Sequence, residues 1–420
     1  MSKLHPGNSD AKYPMQPPHH VPTEVCENII DMFYSRFVSE TRGDIVTLHS
    51  CSLVCKAWRV RSQRMLFYKV QLYDATALQR FSAVLNFGPH LRAYVREVIL
   101  TGYYLQTTAS ILVLFPALFA GRLPNLWRVV VAHLPETVGW YPKPSDPPKS
   151  KSLPYIPLHP RFSTFLSTFT TVTTLVIHDA TFRSFSEFAR TLHGLPNLEV
   201  LLCDSVRWIT PGGAHPGADF TMVKPGWEVG KSVLPPFAPN LEMLHLRDMH
   251  LYGMERLIWT RGPYLTALEI TVPLINIPEQ PAEVRGIDLS ACLGLQRLHF
   301  RFRPSFSQKA YYSIVKGMLQ SWNLKHASRL QFATDDGHKF TREGFANVLR
   351  TASLFVDTWI QRDSPSNNSE KRPHFDCRLT VRIDDLEVWR DWWWECLKRS
   401  FPTWVKLGRL TMEFESLTFK

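Results

Sequence analysis

One spacing constrains this chain more than any other feature: an apolar residue, two variable ones, an apolar, one variable, an apolar. It appears as Val95-Arg-Glu-Val98-Ile-Leu100, Leu126-Trp-Arg-Val129-Val-Val131, Val172-Thr-Thr-Leu175-Val-Ile177 and Leu198-Glu-Val-Leu201-Leu-Cys203. It returns as Leu241-Glu-Met-Leu244-His-Leu246, Leu265-Thr-Ala-Leu268-Glu-Ile270 and Leu295-Gln-Arg-Leu298-His-Phe300, with echoes at Leu330/Phe332, Leu379/Val381 and Leu410/Met412. Alternation over the last three positions predicts a short strand with one face buried. Pro124, Pro196, Pro239 and Pro263 introduce four of the copies, the first three followed by Asn. Pro ends a preceding helix and Pro-Asn favours a turn, so each unit reads as helix, turn, strand. Strand follows strand at steps of 24 to 49 residues, the longest steps holding Pro- or Ser-rich inserts at 141–160, 211–239 and 361–375. Helical stripes fall between strands: Phe185, Phe188 and Leu192; Ile314, Val315, Met318, Leu319 and Trp322; Phe345, Val348, Leu349 and Ala352; Leu386, Trp389, Trp393 and Leu397. Trp392–Trp394 is read as packing. The expectation is an α/β chain of parallel strands joined by right-handed crossovers.

Composition excludes several classes. An apolar content of 45% with 20% charged residues describes an ordered chain, not a disordered one. The longest apolar run, Ile111 to Ala120, is short for a bilayer and holds Pro116, so no membrane span is expected. The polar N-terminus lacks the apolar core of a signal peptide. Seven Cys without paired zinc spacing point to a reducing cytoplasmic or nuclear setting. The formal charge of +11 comes from Lys and Arg interleaved with acids, which favours acidic partners without reading nucleic-acid sequence.

No P-loop, dinucleotide, nucleophile-elbow or H-E-x-x-H motif is present. The nearest paired acids, Asp335–Asp336 and Asp384–Asp385, read as a turn and a strand end. His19–His20 has no partner at metal-ligand spacing. The expectation is a non-enzyme without metal or cofactor.

Residues 1–20 read as a flexible tail, and the stretch from Val21 to Phe67 as three short helices. Pro22 and Thr23 open the first, with Thr23 as a fair N-cap and Glu24 and Glu27 beside the positive end of the dipole. Val25, Ile29, Ile30 and Phe33 are read as one stripe. After a polar break at Ser39–Gly43, Asp44 is read as capping a second helix carrying Ile45, Leu48 and Leu53. A third begins near Lys56 and carries Trp58, Met65 and Leu66. A core this small is marginal by itself.

Pro22, Glu24, Ile29, Ile30, the run Cys51-Ser-Leu-Val-Cys-Lys-Ala-Trp58 and Arg64-Met-Leu-Phe67 together resemble the F-box motif, with Val21 where the family usually has Leu. The remainder resembles the degenerate leucine-rich-repeat tails of many F-box proteins, although the repeat's own Asn position is mostly occupied by other residues. The resemblance implies an F-box over 21–70 and an irregular right-handed solenoid over 71–420. It also implies a Skp-type adaptor docked through Pro22, Glu24, Ile29, Ile30, Leu53, Val54, Trp58 and Leu66, and through it cullin and RING subunits of an SCF-type ubiquitin ligase. Outward neighbours on the strands, Met243, His245, Arg247, Glu269, Arg297, His299 and Arg301, would line the concave face and hold a protein target. Two alternatives are a non-proteolytic interaction scaffold and, less favoured by the scattered charge, a basic nucleic-acid binder.

Overall fold

The computed structural model describes residues 22–33, 41–101, 111–132, 156, 158, 161–210, 238–249, 251–271, 287–302, 308–323, 326–334, 346, 349–350, 353–354, 376–382, 386–406 and 410–415. The tail at 1–20, the insert at 361–375, most of the other two inserts, both acid pairs and most of the stripe at 345–352 lie outside the described residues. Two units divide between Tyr68 and Lys69.

The first unit holds helices α1 (Thr23–Met32), α2 (Thr41–Ser52) and α3 (Lys56–Tyr68). Pro22, not Thr23, is the N-cap of α1, and no side chain caps it. Asp44 lies inside α2 instead of capping it, and Leu53 falls past its end. The expected single stripe on α1 is two stripes. Cys26, Ile30 and Phe33 face inward, whereas Val25, Ile29 and Met32 are exposed, because successive helical residues point about 100° apart. Ile30, Leu48 and Cys51 form the core, with Phe33, Trp58, Met65 and Leu66 packed around it. Arg61 of α3 grips both carboxylate oxygens of Asp31 on α1.

The second unit opens with strand β1 (Lys69–Leu72), then α4 (Ala75–Phe87), β2 (Glu97–Thr101), α5 (Ile111–Phe119), β3 (Arg128–Ala132) and α6 (Phe162–Leu166). It continues with β4 (Thr174–His178), β5 (Thr181–Ser184), α7 (Phe185–His193), β6 (Val200–Asp204), β7 (Arg207–Thr210) and β8 (Met243–Arg247). Next come α8 (Leu251–Arg261), β9 (Ala267–Thr271), β10 (Arg297–Phe302), α9 (Gln308–Ser321), β11 (Arg329–Thr334) and β12 (Asp376–Arg382). Helices Leu386–Ser400 and Pro402–Lys406 precede the last strand, β13 (Leu410–Glu415). Eleven strands form one sheet in chain order, leaving β5 and β7 as a separate parallel pair.

Every neighbouring pair in the large sheet is parallel, and the motif sets its register. Val98 pairs with Val129, Val129 with Leu175, Leu175 with Leu201, Leu201 with Leu244, Leu244 with Leu268 and Leu268 with Leu298. The last motif position follows as a second row, from Leu100 to Phe300 and Phe332. All members of both rows from β2 to β11 are buried. Side chains from the helix-bearing segments cover that face: Phe115, Phe162 and Phe169 meet Leu100, Val131, Leu175 and Ile177 around a small apolar void. The stripes at Phe185–Leu192 and Ile314–Trp322 are likewise buried.

The turns explain the Pro-Asn signature. Asn125 donates from Nδ2 to the Ala93 carbonyl at 2.8 Å, Asn197 to Thr170 at 2.7 Å and Asn240 to Pro196 at 3.1 Å. Each bond ties a turn to its predecessor and occupies a carbonyl that would otherwise bond to water. At the far strand ends Asp179, Ser205 and Asp248 take φ of 50°, 55° and 48°, a left-handed bend that short polar residues tolerate.

Candidate binding surfaces

On the three-helix unit the described surface is unusually apolar. Met32 is 83% exposed, Leu53 69%, Val46 63%, Val54 62% and Val60 57%. Val25, Ile29 and Ile45 join them at 42–51%. Val25, Ile29 and Met32 lie at i, i+4 and i+7, one face of α1. Leu53 and Val54 occupy the turn between α2 and α3. Against this stands a core cluster of just Ile30, Leu48 and Cys51. Burial of apolar surface stabilises by about 25 cal/mol per Å2, so this outer face is a large unused reserve for association.

Among the residues read as adaptor contacts, Pro22, Glu24, Ile29, Leu53 and Val54 are exposed. Ile30 is wholly buried, while Trp58 and Leu66 are half-buried against the core. Those three support the surface rather than constitute most of it. Sequence reasoning missed Met32, Val46 and Val60; the two adjacent i, i+4, i+7 stripes on α1 were the signal available for Met32.

On the second unit the seven outward residues come together on β8, β9 and β10, with His245, Glu269 and His299 in register. Glu269 is the centre. Its Oε2 meets Nδ1 of His245 at 3.0 Å and Nδ1 of His299 at 3.1 Å. Its Oε1 accepts from Nη2 of Arg247 at 2.9 Å and lies 3.2 Å from Nε of Arg301. The Glu269 side chain is only 10% exposed. Burial by itself would push its carboxyl up, but the hydrogen bonds from His245 and His299 and the charges of His299 and Arg301 outweigh it and hold the group well below the usual carboxylate range. Arg297 stands apart, exposed, with Nη2 3.7 Å from the Met243 sulfur.

The same middle row changes character along the sheet. Ile99, Val130 and Val176 form a buried cluster with Leu202 beside it, then His245, Glu269 and His299 follow in register. The uninterrupted apolar triplets Val98–Leu100, Val129–Val131 and Leu175–Ile177 were the sequence signal for that apolar half. Another buried acid, Glu97, lies 3.9 Å from Lys69 and 3.6 Å from Arg128.

Among the described residues no group of three or more His, Cys, Asp or Glu is arranged to hold a metal ion. No helix among them is long and apolar enough to cross a membrane. What the geometry shows is a set of exposed apolar residues on the first unit and a cluster of His and Arg around Glu269 on the second. No protein-family model matches the chain, and no match was found among curated proteins.

Proposed function

We propose that this chain is the substrate-receptor subunit of an SCF-type ubiquitin ligase. In this reading the three-helix unit is an F-box that docks a Skp-type adaptor, which brings the cullin and RING subunits. The strand-and-helix remainder is an irregular leucine-rich-repeat solenoid whose open sheet face holds a protein target. The chain makes and breaks no bond; it tethers the target near a ubiquitin-carrying enzyme and raises its effective concentration. Work in the cytoplasm or nucleus fits this role.

The observation that carries the reading is the exposure of Val25, Ile29, Met32, Leu53 and Val54 around a core as small as Ile30, Leu48 and Cys51. A unit of that size gains stability by burying such a face against another protein. The test is co-purification with a Skp-type adaptor, wild type against a Leu53→Asp/Val54→Asp pair. The paired variant is expected to lose the adaptor while keeping its helical content. Wild-type adaptor capture by the folded variant rules the docking assignment out.

A further inference from the structure

Glu269 engages Arg247, Arg301, His245 and His299 at 2.9–3.2 Å, so those groups already face a carboxylate. Among the described side chains of β8 to β11, the arginines not drawn to Glu269 are Arg297 and Arg329. They sit directly opposite one another in the β10–β11 register. Arg297 is exposed and meets only the Met243 sulfur among the described contacts; Arg329 is half-buried and makes no ion pair among the described residues. Like charges placed opposite each other on neighbouring strands repel and destabilise the pair. The residue opposite Arg329 in the next register pair is Asp376 on β12.

We propose that Arg297 and Arg329 form the anchor for an acidic segment of a bound protein, whose side-chain carboxylates lie across both guanidiniums. This rests on the reading of the open sheet face as the target-holding surface, and it adds Arg329 to the outward residues named from the sequence. Two guanidiniums at adjacent strand positions offer paired N–H donors that match carboxylate geometry. A carboxylate across them also offsets the mutual repulsion. The inference is local: it requires more than the overall formal charge of +11, which would attract any acidic chain weakly and everywhere.

The experiment is fluorescence anisotropy of the full chain with a labelled ten-residue poly-glutamate peptide, and a poly-serine peptide of equal length as reference. Arg297→Glu/Arg329→Glu is compared with Arg80→Glu/Arg190→Glu, an equal charge change at exposed positions on α4 and α7. The first pair is expected to weaken poly-glutamate binding at least about tenfold and the second by less than about twofold. Equal weakening by both pairs, or poly-glutamate binding no tighter than poly-serine, overturns the proposal. A phosphoserine peptide that binds at this pair while poly-glutamate does not overturns the choice of carboxylate. Adaptor capture by the same preparations is scored separately. Its loss with the peptide result intact would remove the receptor reading and leave the anchor standing.

Discussion

The guanidinium of Arg261 donates from Nη2 to the Pro239 carbonyl at 2.9 Å, performing the task that Asn125, Asn197 and Asn240 perform in earlier units. The substitution has a reason. The Asn position of this unit is Tyr264, which has no donor suited to that carbonyl. Arg261, one turn upstream, lies with its guanidinium carbon 4.7 Å from the Tyr264 ring centroid and is fully buried. Burial holds its pKa below the usual arginine value. Arg261→Leu is expected to cost about 2 kcal/mol by stranding the carbonyl and removing the cation–ring contact. Adding Tyr264→Asn should restore part of that loss, measured by urea unfolding. A double variant no more stable than the single would show that the two donors are not equivalent.

Glu269→Gln removes the carboxylate that Arg247 and Arg301 share, and a loss of roughly 3 kcal/mol is expected. Its pH dependence has a definite sign. The folded group titrates well below the unfolded value of about 4.3, so its stabilisation is complete above that value and fades as pH falls towards the folded one. The melting-temperature gap between wild type and variant should therefore narrow below about pH 4. A gap that widens below about pH 4 would contradict the buried ionised carboxylate.

In the three-helix unit the two α1 stripes separate folding from docking. Ile30→Asp puts a charge into the core and should abolish helical signal from residues 22–68. Ile29→Asp, one residue away on the exposed stripe, should change stability by less than about 0.5 kcal/mol and still lose the adaptor. Circular dichroism with co-purification checks both. Equal unfolding by the two variants would erase the distinction between the stripes.

Two glycines should respond differently to Ala. At Gly262 a Cβ would approach the Ala291 backbone carbon to 2.9 Å, so the neighbouring turn must move, at a cost of about 1–3 kcal/mol. Gly121 has open space but a φ of +66°, so its cost is conformational, about 1 kcal/mol. Thermal melts rank them, and a larger loss at Gly121 would refute the steric account.

Much of the architecture was legible because a period-2 apolar pattern admits only one way to bury its alternate residues in a strand. Leu244/Leu246, Leu268/Ile270 and Leu298/Phe300 had to face a core, and the turn chemistry of Pro-Asn marked where β3, β6 and β8 began. Their outward neighbours followed by alternation alone, which is why His245, Glu269 and His299 could be named together. The sequence could not say that Glu269 would gather both histidines and two arginines. That depends on parallel register across strands 24 and 30 residues apart, and register belongs to the packed sheet rather than to any segment. Arg261 standing in for an asparagine was equally hidden, since its reach to Pro239 crosses from one unit to another. On α1 the apolar residues were evident, but their division into core and surface was not. Which side of a helix is covered depends on where α2 and α3 lie, and only the tertiary structure decides that.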